Sequence, residues 1–290
     1  GDVLVINGNP RILSNYKLIL LAKIKGVEVV WWGHGWSSSS KKYRARLRMF
    51  LTELLADIVL LYTDKERANY IEAGFSPEKV YALNNGLDTR SIMKAIASIT
   101  ASELKLLKST HELHERKVGI FVGRLTNKAS VEQLIDAMPF LDNEICFVIV
   151  GDGEIKGKLV QRTIALGLVH RLAFVGPVYE EYELAKYMLA ADFFVYPGAV
   201  GLSLLHGFSY GLPAVIHNCA TAHMPEHAAF VDGHNGFSFE KDNVRSLANA
   251  INKMAEDNNA EVLSQNASAT VRNSYNIEDM TNRFIDMLNV

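Results

Sequence analysis

The sequence predicts an α/β protein with two αβα domains, each built on a parallel sheet that helices cover on both faces. Two observations support this prediction. Short apolar, β-branched runs alternate with helical stretches, which is typical of the crossover connections between parallel strands. The runs are also continuously apolar, as expected of strands buried on both faces. At 290 residues the chain is long enough for two such domains.

The predicted strands form two series, and helical stretches separate the strands within each series. The first series is Val3–Ile6, Val27–Trp32, Ile58–Tyr62 and Val80–Leu83. The second is Val118–Val122, Ile145–Val150, Ala173–Val175, Phe193–Tyr196 and Ala214–Ile216. The clearest helical stretches are Tyr16–Lys25, Lys41–Ala56, Asp64–Ala73, Ser130–Met138 and Glu181–Ala190.

Residues 89–116 separate the two series, because this stretch is polar, helix-prone and without a strand. We therefore predict a first domain over residues 1–100 and a second over residues 101–276. Residues 277–290 predict an amphipathic helix that packs back on the first domain. Since the chain enters a strand almost at once, we expect the start of the first domain to be missing.

The composition is that of a globular protein, with 49% hydrophobic and 21% charged residues. No apolar run reaches the roughly 18 residues of a membrane span, and no secretion signal is visible. Cys146 and Cys219 are too few for a disulfide framework. These features predict a cytoplasmic protein.

The charge is unevenly distributed, although the net charge is only −2. Residues 1–50 hold nine Lys and Arg against Asp2 and Glu28. Residues 41–51 mix five of these cations with apolar side chains in a helix-compatible pattern, as helices at a membrane surface do. An anionic partner, such as the inner face of the membrane or a phosphorylated acceptor, and a merely solvated helix face both remain open.

Ligands of parallel sheets bind beyond the carboxyl ends of the strands, so the residues that follow each strand are the candidates for a site. After the strand ending at Val122 come Gly123, Arg124 and Lys128. A glycine permits close backbone approach, and two cations four residues apart can meet one anion. A diphosphate is a suitable ligand for this pair, although a surface Arg and Lys would give the same spacing.

Other strand ends carry weaker signals of the same kind. They are Gly151 and Gly153 in a tight turn, Val175 before Gly176, His34 between two glycines, and the loop Gly198, Val200, Gly201 and Leu202 leading into a helix with His206. Free N–H groups at the start of a helix favour phosphate. These residues are candidates for binding a phosphorylated ligand.

The order and spacing of three motifs resemble those of GT-B glycosyltransferases of family 4, the glycosyl transferases group 1. The motifs are Asn85–Asp88, Val122–Leu125 with Lys128, and Asp232–Phe237. The resemblance covers nearly the whole chain. It implies GT-B architecture, with two Rossmann-like domains facing a cleft, and transfer of a sugar from a UDP- or GDP-sugar with retained configuration.

The resemblance also implies roles for individual residues. Arg124 and Lys128 would hold the donor diphosphate and stabilise the departing phosphate, and His34 would face the transferred sugar. The glycine and Val175 positions named above would contact the donor. The acceptor would be a saccharide or a lipid-linked saccharide of bacterial surface polysaccharide synthesis, such as O-antigen or capsule. No metal, other cofactor or nucleic acid is expected.

Two positions depart from the family pattern, which has two glutamates eight residues apart where this chain has Gly198 and His206. A neutral histidine can replace only part of a glutamate's contact with a ribose diol. Because His206 follows the Gly201 turn, we place it near the positive start of a helix, which disfavours its cation. We expect a neutral His206 to touch the ribose or a phosphate; packing against Phe208 and Tyr210 is the alternative.

Three other interpretations compete with this one. His217, His223, His227 and His234 lie close in sequence, but Pro225 and the absence of zinc-motif spacing favour a polar loop over a metal site. The same scaffold could serve a non-catalytic nucleotide- or sugar-binding protein. An epimerase or a phosphorylase is conceivable, although no lysine stands out as the pyridoxal phosphate ligand that a phosphorylase needs.

Overall fold

The computed structural model describes residues 1–9, 11–33, 50, 52, 54–256 and 258–289. The chain forms two compact units. The first combines residues 1–86 with residues 277–290, and the second comprises residues 87–276. Each unit has a parallel sheet with helices on both faces, so the predicted α/β class is confirmed.

The first unit has a four-stranded sheet in the order β1-β2-β3-β4. Its strands are β1 (Val3–Asn7), β2 (Glu28–Trp32), β3 (Ile58–Leu61) and β4 (Val80–Ala82). Its helices are α1 (Leu13–Ile24), α2 (Asp64–Glu72) and, from the end of the chain, α11 (Ile277–Leu288). Successive residues of β2 and β3 point to opposite faces, so Val29 packs with α1 whereas Val30 packs with Met287 of α11.

The second unit has a six-stranded parallel sheet in the order β10-β9-β8-β5-β6-β7. Its strands are β5 (Lys117–Val122), β6 (Ile145–Val150), β7 (Leu172–Gly176), β8 (Phe193–Tyr196), β9 (Ala214–His217) and β10 (Gly236–Phe239). Its helices are α3 (Arg90–Ser98), α4 (Ala101–Thr110), α5 (Val131–Ala137), α6 (Lys156–Ala165), α7 (Glu181–Ala190), α8 (Leu202–Ser209), α9 (Val244–Glu256) and α10 (Ala260–Ser274).

The core of the second unit lies on both faces of this sheet. All six residues of β6 are buried, and they divide between two apolar clusters. Phe147 and Ile149 pack with helices α5, α6 and α9, whereas Val148 packs with α7, α8 and α10. The continuous apolar run of β6 is therefore explained by helix coverage on both faces.

The predicted boundary at residue 100 is wrong, because the chain divides after Gly86. Helix α3 packs on α7 and belongs to the second unit. Helix α4 begins at a capping box in which Thr100 and Glu103 satisfy each other's backbone N–H groups. Glu103 also accepts a 2.7 Å hydrogen bond from the Tyr182 hydroxyl of α7. The polar helical stretch thus packs on α7 as part of the second unit instead of linking two domains.

Candidate functional site

The second sheet reverses its winding between β5 and β8. From β5 the chain moves outward through β6 to β7, and it then returns to the other side of β5 to form β8, β9 and β10. In parallel sheets of this kind, ligands bind beyond the carboxyl ends of the strands at such a switch point. The predicted Arg124 and Lys128 follow β5, and the predicted loop Gly198–Leu202 follows β8.

The loops after β5, β6 and β7 are joined by backbone hydrogen bonds. The Gly151 N–H donates to the Gly176 carbonyl at 2.8 Å, and the Leu125 N–H donates to the Asp152 carbonyl at 2.9 Å. Gly151 has a φ of +147°, and a Cβ there would lie 1.9 Å from the Gly123 carbonyl oxygen. A side chain at residue 151 is therefore incompatible with the packed loops.

The glycines after β6 and β8 support the β5 loop in the same way. A Cβ on Gly153 would lie 2.2 Å from the Leu125 carbonyl oxygen, and one on Gly198 would lie 2.0 Å from the Lys128 carbonyl oxygen. The sequence predicts close backbone approach at these glycines, and the structure shows that the approach is to another loop. Neighbouring loops therefore hold both ends of the Arg124–Lys128 segment.

Arg124 and Lys128 are exposed. Within the described part of the chain, neither side chain has a hydrogen-bond or ion-pair partner. Some other cations of the second unit are paired, for example Arg162 with Asp136 at 2.8 Å. Two unpaired cations on a segment of fixed backbone are suited to an anionic ligand, because no internal bond has to break on binding.

The loop after β8 offers fewer N–H groups than the sequence suggests. The Ala199 N–H donates to the Lys128 carbonyl at 3.2 Å, and the Val200 N–H donates to His223 Nδ1 at 3.1 Å. Val200 is also fully buried, so neither its N–H nor its side chain is free to meet a donor in this structure. The N–H groups of Gly201 and Leu202 have no acceptor among the described residues and remain available at the start of α8.

His206 lies in the last turn of α8, not near its start. The argument from the helix dipole is therefore wrong, since the end of a helix favours a cation. The His206 Nε2–H donates to Glu181 Oε1 at 3.0 Å, and the His206 ring lies edge-on to Tyr210 at a centroid distance of 5.5 Å. The only ring nitrogen still open to a ligand is thus Nδ1.

Glu181, the first residue of α7, is a half-buried carboxylate between His206 and Tyr210. The Tyr210 hydroxyl also donates to Oε1, which leaves Oε2 without a partner in the part of the chain that the structure describes. Burial raises the pKa of Glu181, but the hydrogen bonds from His206 and Tyr210 outweigh it and lower the pKa overall. Burial and the hydrogen bond to Glu181 raise the pKa of Tyr210. Sequence analysis missed this carboxylate, which begins the helix after β7.

The imidazole rings of His217, His223 and His227 form a stack beyond β9. Ring centroids are 3.8 Å apart between His217 and His223, and 4.5 Å apart between His223 and His227. Both nitrogens of His223 are hydrogen-bonded, with Nε2 donating to the His217 carbonyl at 2.8 Å. The described residues contain no group of three or more His, Cys, Asp or Glu that could hold a metal ion.

Glu226 was also missed by sequence analysis. It is 5% exposed, and its Oε2 would lie 3.5 Å from a Cβ on Gly201. A buried carboxylate therefore lies beside the start of α8. A lone Pro-Glu pair in a loop gives no sequence signal for this position.

Two predicted features fall wholly or mostly outside the described residues. His34 lies outside the described residues, as do residues 41–49 and 51 of the predicted membrane-binding stretch. No helix among the described residues is both long and apolar enough to cross a membrane.

Val175 is half-buried at the end of β7 and packs against the cluster that contains α7 and α8.

This architecture is shared with proteins of known structure. HepE from Anabaena, crystallised with UDP, superposes with a TM-score of 0.77 at 20% identity, over 99% of this chain and 78% of that one. Such similarity shows the GT-B fold. The fold thus defines a protein of the GT-B class.

The sequence comparisons identify the enzyme type. Residues 116–257 match the family model described as Glycosyl transferases group 1. The UDP-Gal:alpha-D-GlcNAc-diphosphoundecaprenol alpha-1,3-galactosyltransferase of Escherichia coli is 24% identical, over 92% of this chain and 70% of its own length. A Campylobacter jejuni N-acetylgalactosaminyltransferase acting on a diphospho-undecaprenol substrate is 26% identical, over 79% of this chain and 60% of its own length. The chain is a glycosyltransferase, and a region of its second unit matches the glycosyl transferases group 1 model.

Proposed function

We propose that this glycosyltransferase moves a sugar from a uridine-diphosphate sugar to a lipid-linked saccharide of bacterial surface polysaccharide synthesis. The observation that carries the proposal is the pair of unpaired cations, Arg124 and Lys128, on a fixed loop at the switch point of the second sheet. UDP in the HepE crystals and the UDP-galactose donor of the Escherichia coli relative support uridine. The undecaprenol-linked substrates of both sequence relatives support the acceptor.

In the proposed reaction the chain acts by position and charge. The donor diphosphate binds Arg124, Lys128 and the free N–H groups of Gly201 and Leu202. The acceptor hydroxyl attacks the anomeric carbon from the face that the nucleotide leaves, so the configuration is retained. A phosphate oxygen of the donor takes the proton of this hydroxyl. As the sugar–phosphate bond breaks, the two cations stabilise the charge that collects on the diphosphate.

Nucleotide binding tests the proposal directly. We expect UDP to raise the melting temperature of the protein, because a ligand that binds only the folded state stabilises it. GDP and ADP serve as the comparison. If GDP stabilised the protein more than UDP, the uridine assignment would be wrong. Slow release of UDP from a UDP-sugar without acceptor would distinguish an enzyme from a binding protein on the same scaffold.

Activity is expected to be independent of divalent ions, because side-chain cations neutralise the leaving group. Turnover measured with excess EDTA should equal turnover in added Mg²⁺ or Mn²⁺. A complete and reversible loss of turnover on chelation would contradict this expectation and return attention to the histidine stack.

His206 and Glu181 are proposed to meet the donor ribose together, through Nδ1 of His206 and the unpartnered Oε2 of Glu181. Loss of one such hydrogen bond costs about 1 kcal/mol, so His206→Ala should raise the donor KM about fivefold. His111→Ala is the control, and its donor KM should not change. His111 caps the carboxyl end of α4 and contacts Tyr187. An unchanged donor KM in His206→Ala would contradict the contact.

A further inference from the structure

The loop after β8 is held in part by a side chain from another part of the sequence, that of His223. Val200 is fully buried, and residues 223 and 224 occupy both of its backbone polar groups. Its N–H donates to His223 Nδ1 at 3.1 Å, and its carbonyl accepts from the Met224 N–H at 3.0 Å. The next residue, Gly201, packs so closely on Met224 that a Cβ there would lie 3.1 Å from the Met224 side chain.

These bonds determine the protonation state of His223. Nδ1 accepts a hydrogen bond from an N–H group, so it carries no proton. Nε2 faces the His217 carbonyl at 2.8 Å, so it carries the proton. A second proton on Nδ1 would place two N–H groups against each other and remove the bond to Val200.

We propose that neutral His223 is a positioning residue for donor binding, which holds Val200 so that the Gly201 and Leu202 N–H groups face the donor diphosphate. The proposal rests on the proposed function of this site. Without the bond, Val200 leaves a buried N–H unsatisfied, and the loop is expected to move away from the Lys128 carbonyl. Protonation of His223 has the same effect as removing its side chain, so donor binding weakens in acid.

The surroundings of His223 oppose its protonation. Burial lowers the pKa of His223, the hydrogen bond to His217 partly offsets this, and Lys241 lowers it further. Burial also lowers the pKa of the stacked His217, to about 4, with contributions from His223 and Lys241 that Asp242 partly offsets. His227 and Glu226 are the other titratable groups of the turn that contacts His223. Because the folded-state pKa of His223 lies below its unfolded value, the loop bond is complete near neutral pH and is lost as the pH falls through that lowered pKa.

Three variants test the proposal on the full chain, with UDP as the ligand and calorimetry as the measurement. His223→Ala should weaken UDP binding about tenfold at neutral pH, the effect of a buried donor left without its acceptor. His223→Asn keeps an acceptor near the Nδ1 position but cannot titrate, so it should restore most of the affinity and show a smaller decline in acid than the wild type, the remainder coming from protonation of UDP itself. His234→Ala, at an exposed histidine on the neighbouring loop, should match the wild type in affinity and in pH profile.

The outcomes separate this proposal from the function of the site. If the wild type bound no nucleotide diphosphate, the proposed function would be wrong. If the wild type bound UDP and His223→Ala bound it equally well at every pH, the positioning role would be wrong. A lowered melting temperature in His223→Ala with unchanged UDP affinity would also overturn it, since that result shows a structural role alone.

Discussion

Replacing Arg124 or Lys128 by alanine is expected to lower kcat/KM by about 100-fold or more in each case, because a preorganised cation is removed from the position where charge develops. Most of the loss should fall on kcat, since the charge on the diphosphate grows as the sugar departs. Steady-state kinetics with a UDP-sugar and a lipid-linked acceptor measure it.

Lys158→Ala is a matched control for these two variants, because Lys158 is an exposed cation on α6 in the same unit. Its kcat/KM should stay within about twofold of the wild type, as expected of a surface substitution. Arg124→Lys keeps the charge but loses the planar fork, so it should recover only part of the activity. Near-normal kcat/KM in both alanine variants would show that this loop does not hold the leaving group.

Gly198→Ala is expected to abolish most activity although it adds only one methyl group and changes no charge. The new Cβ would lie 2.0 Å from the Lys128 carbonyl oxygen and 2.7 Å from the Ala129 carbonyl carbon, so the two loops must separate. We expect a loss of about 100-fold in kcat/KM, in line with the effect of displacing a catalytic group by about 1 Å. The free energy of unfolding should fall by about 1–3 kcal/mol, which is typical of overpacking.

Gly157→Ala provides the contrast. Gly157 lies inside α6, and a Cβ there meets no atom within 4 Å. Alanine should therefore raise the free energy of unfolding by about 0.5–1 kcal/mol and leave activity unchanged. If chemical denaturation and kinetics gave the same result for both glycines, backbone contact between the loops would not be what holds Lys128 in place.

Sequence analysis predicted the strands well because each is a continuous apolar run. It missed β10 (Gly236–Phe239), whose four residues follow a turn motif and pair with β9 at the edge of the sheet. A short edge strand of this composition gains its structure from pairing with a neighbour, and no local period reveals it. The domain boundary failed for a similar reason, since only the contact with α7 shows where α3 and α4 belong.

The site was predicted in part. The position of Arg124 and Lys128 after a strand could be read from order along the chain, because parallel strands end at one edge. The bond between Val200 and His223 spans 23 residues, and the bond between His206 and Glu181 spans 25. Neither follows from spacing, because both join separate crossover units that come together only when the sheet forms. For the same reason, the close approach predicted at Gly151, Gly153 and Gly198 was assigned to a ligand. Each of these glycines contacts the loop after β5, which belongs to a different part of the chain.

The first unit is completed by α11, from the opposite end of the chain. Met287 is buried against Val30, Ile58 and Leu60 of the first sheet, and Arg283 pairs with Asp64 at 3.0 Å. A ribosome makes this helix after the whole of the second unit, so the apolar face that Met287 covers stays exposed while the second unit is synthesised. The second unit is contiguous, from residue 87 to residue 276, and can fold as soon as it emerges. The first unit is therefore begun before the second unit and completed after it, and its exposed apolar face during synthesis is where chaperones are expected to act.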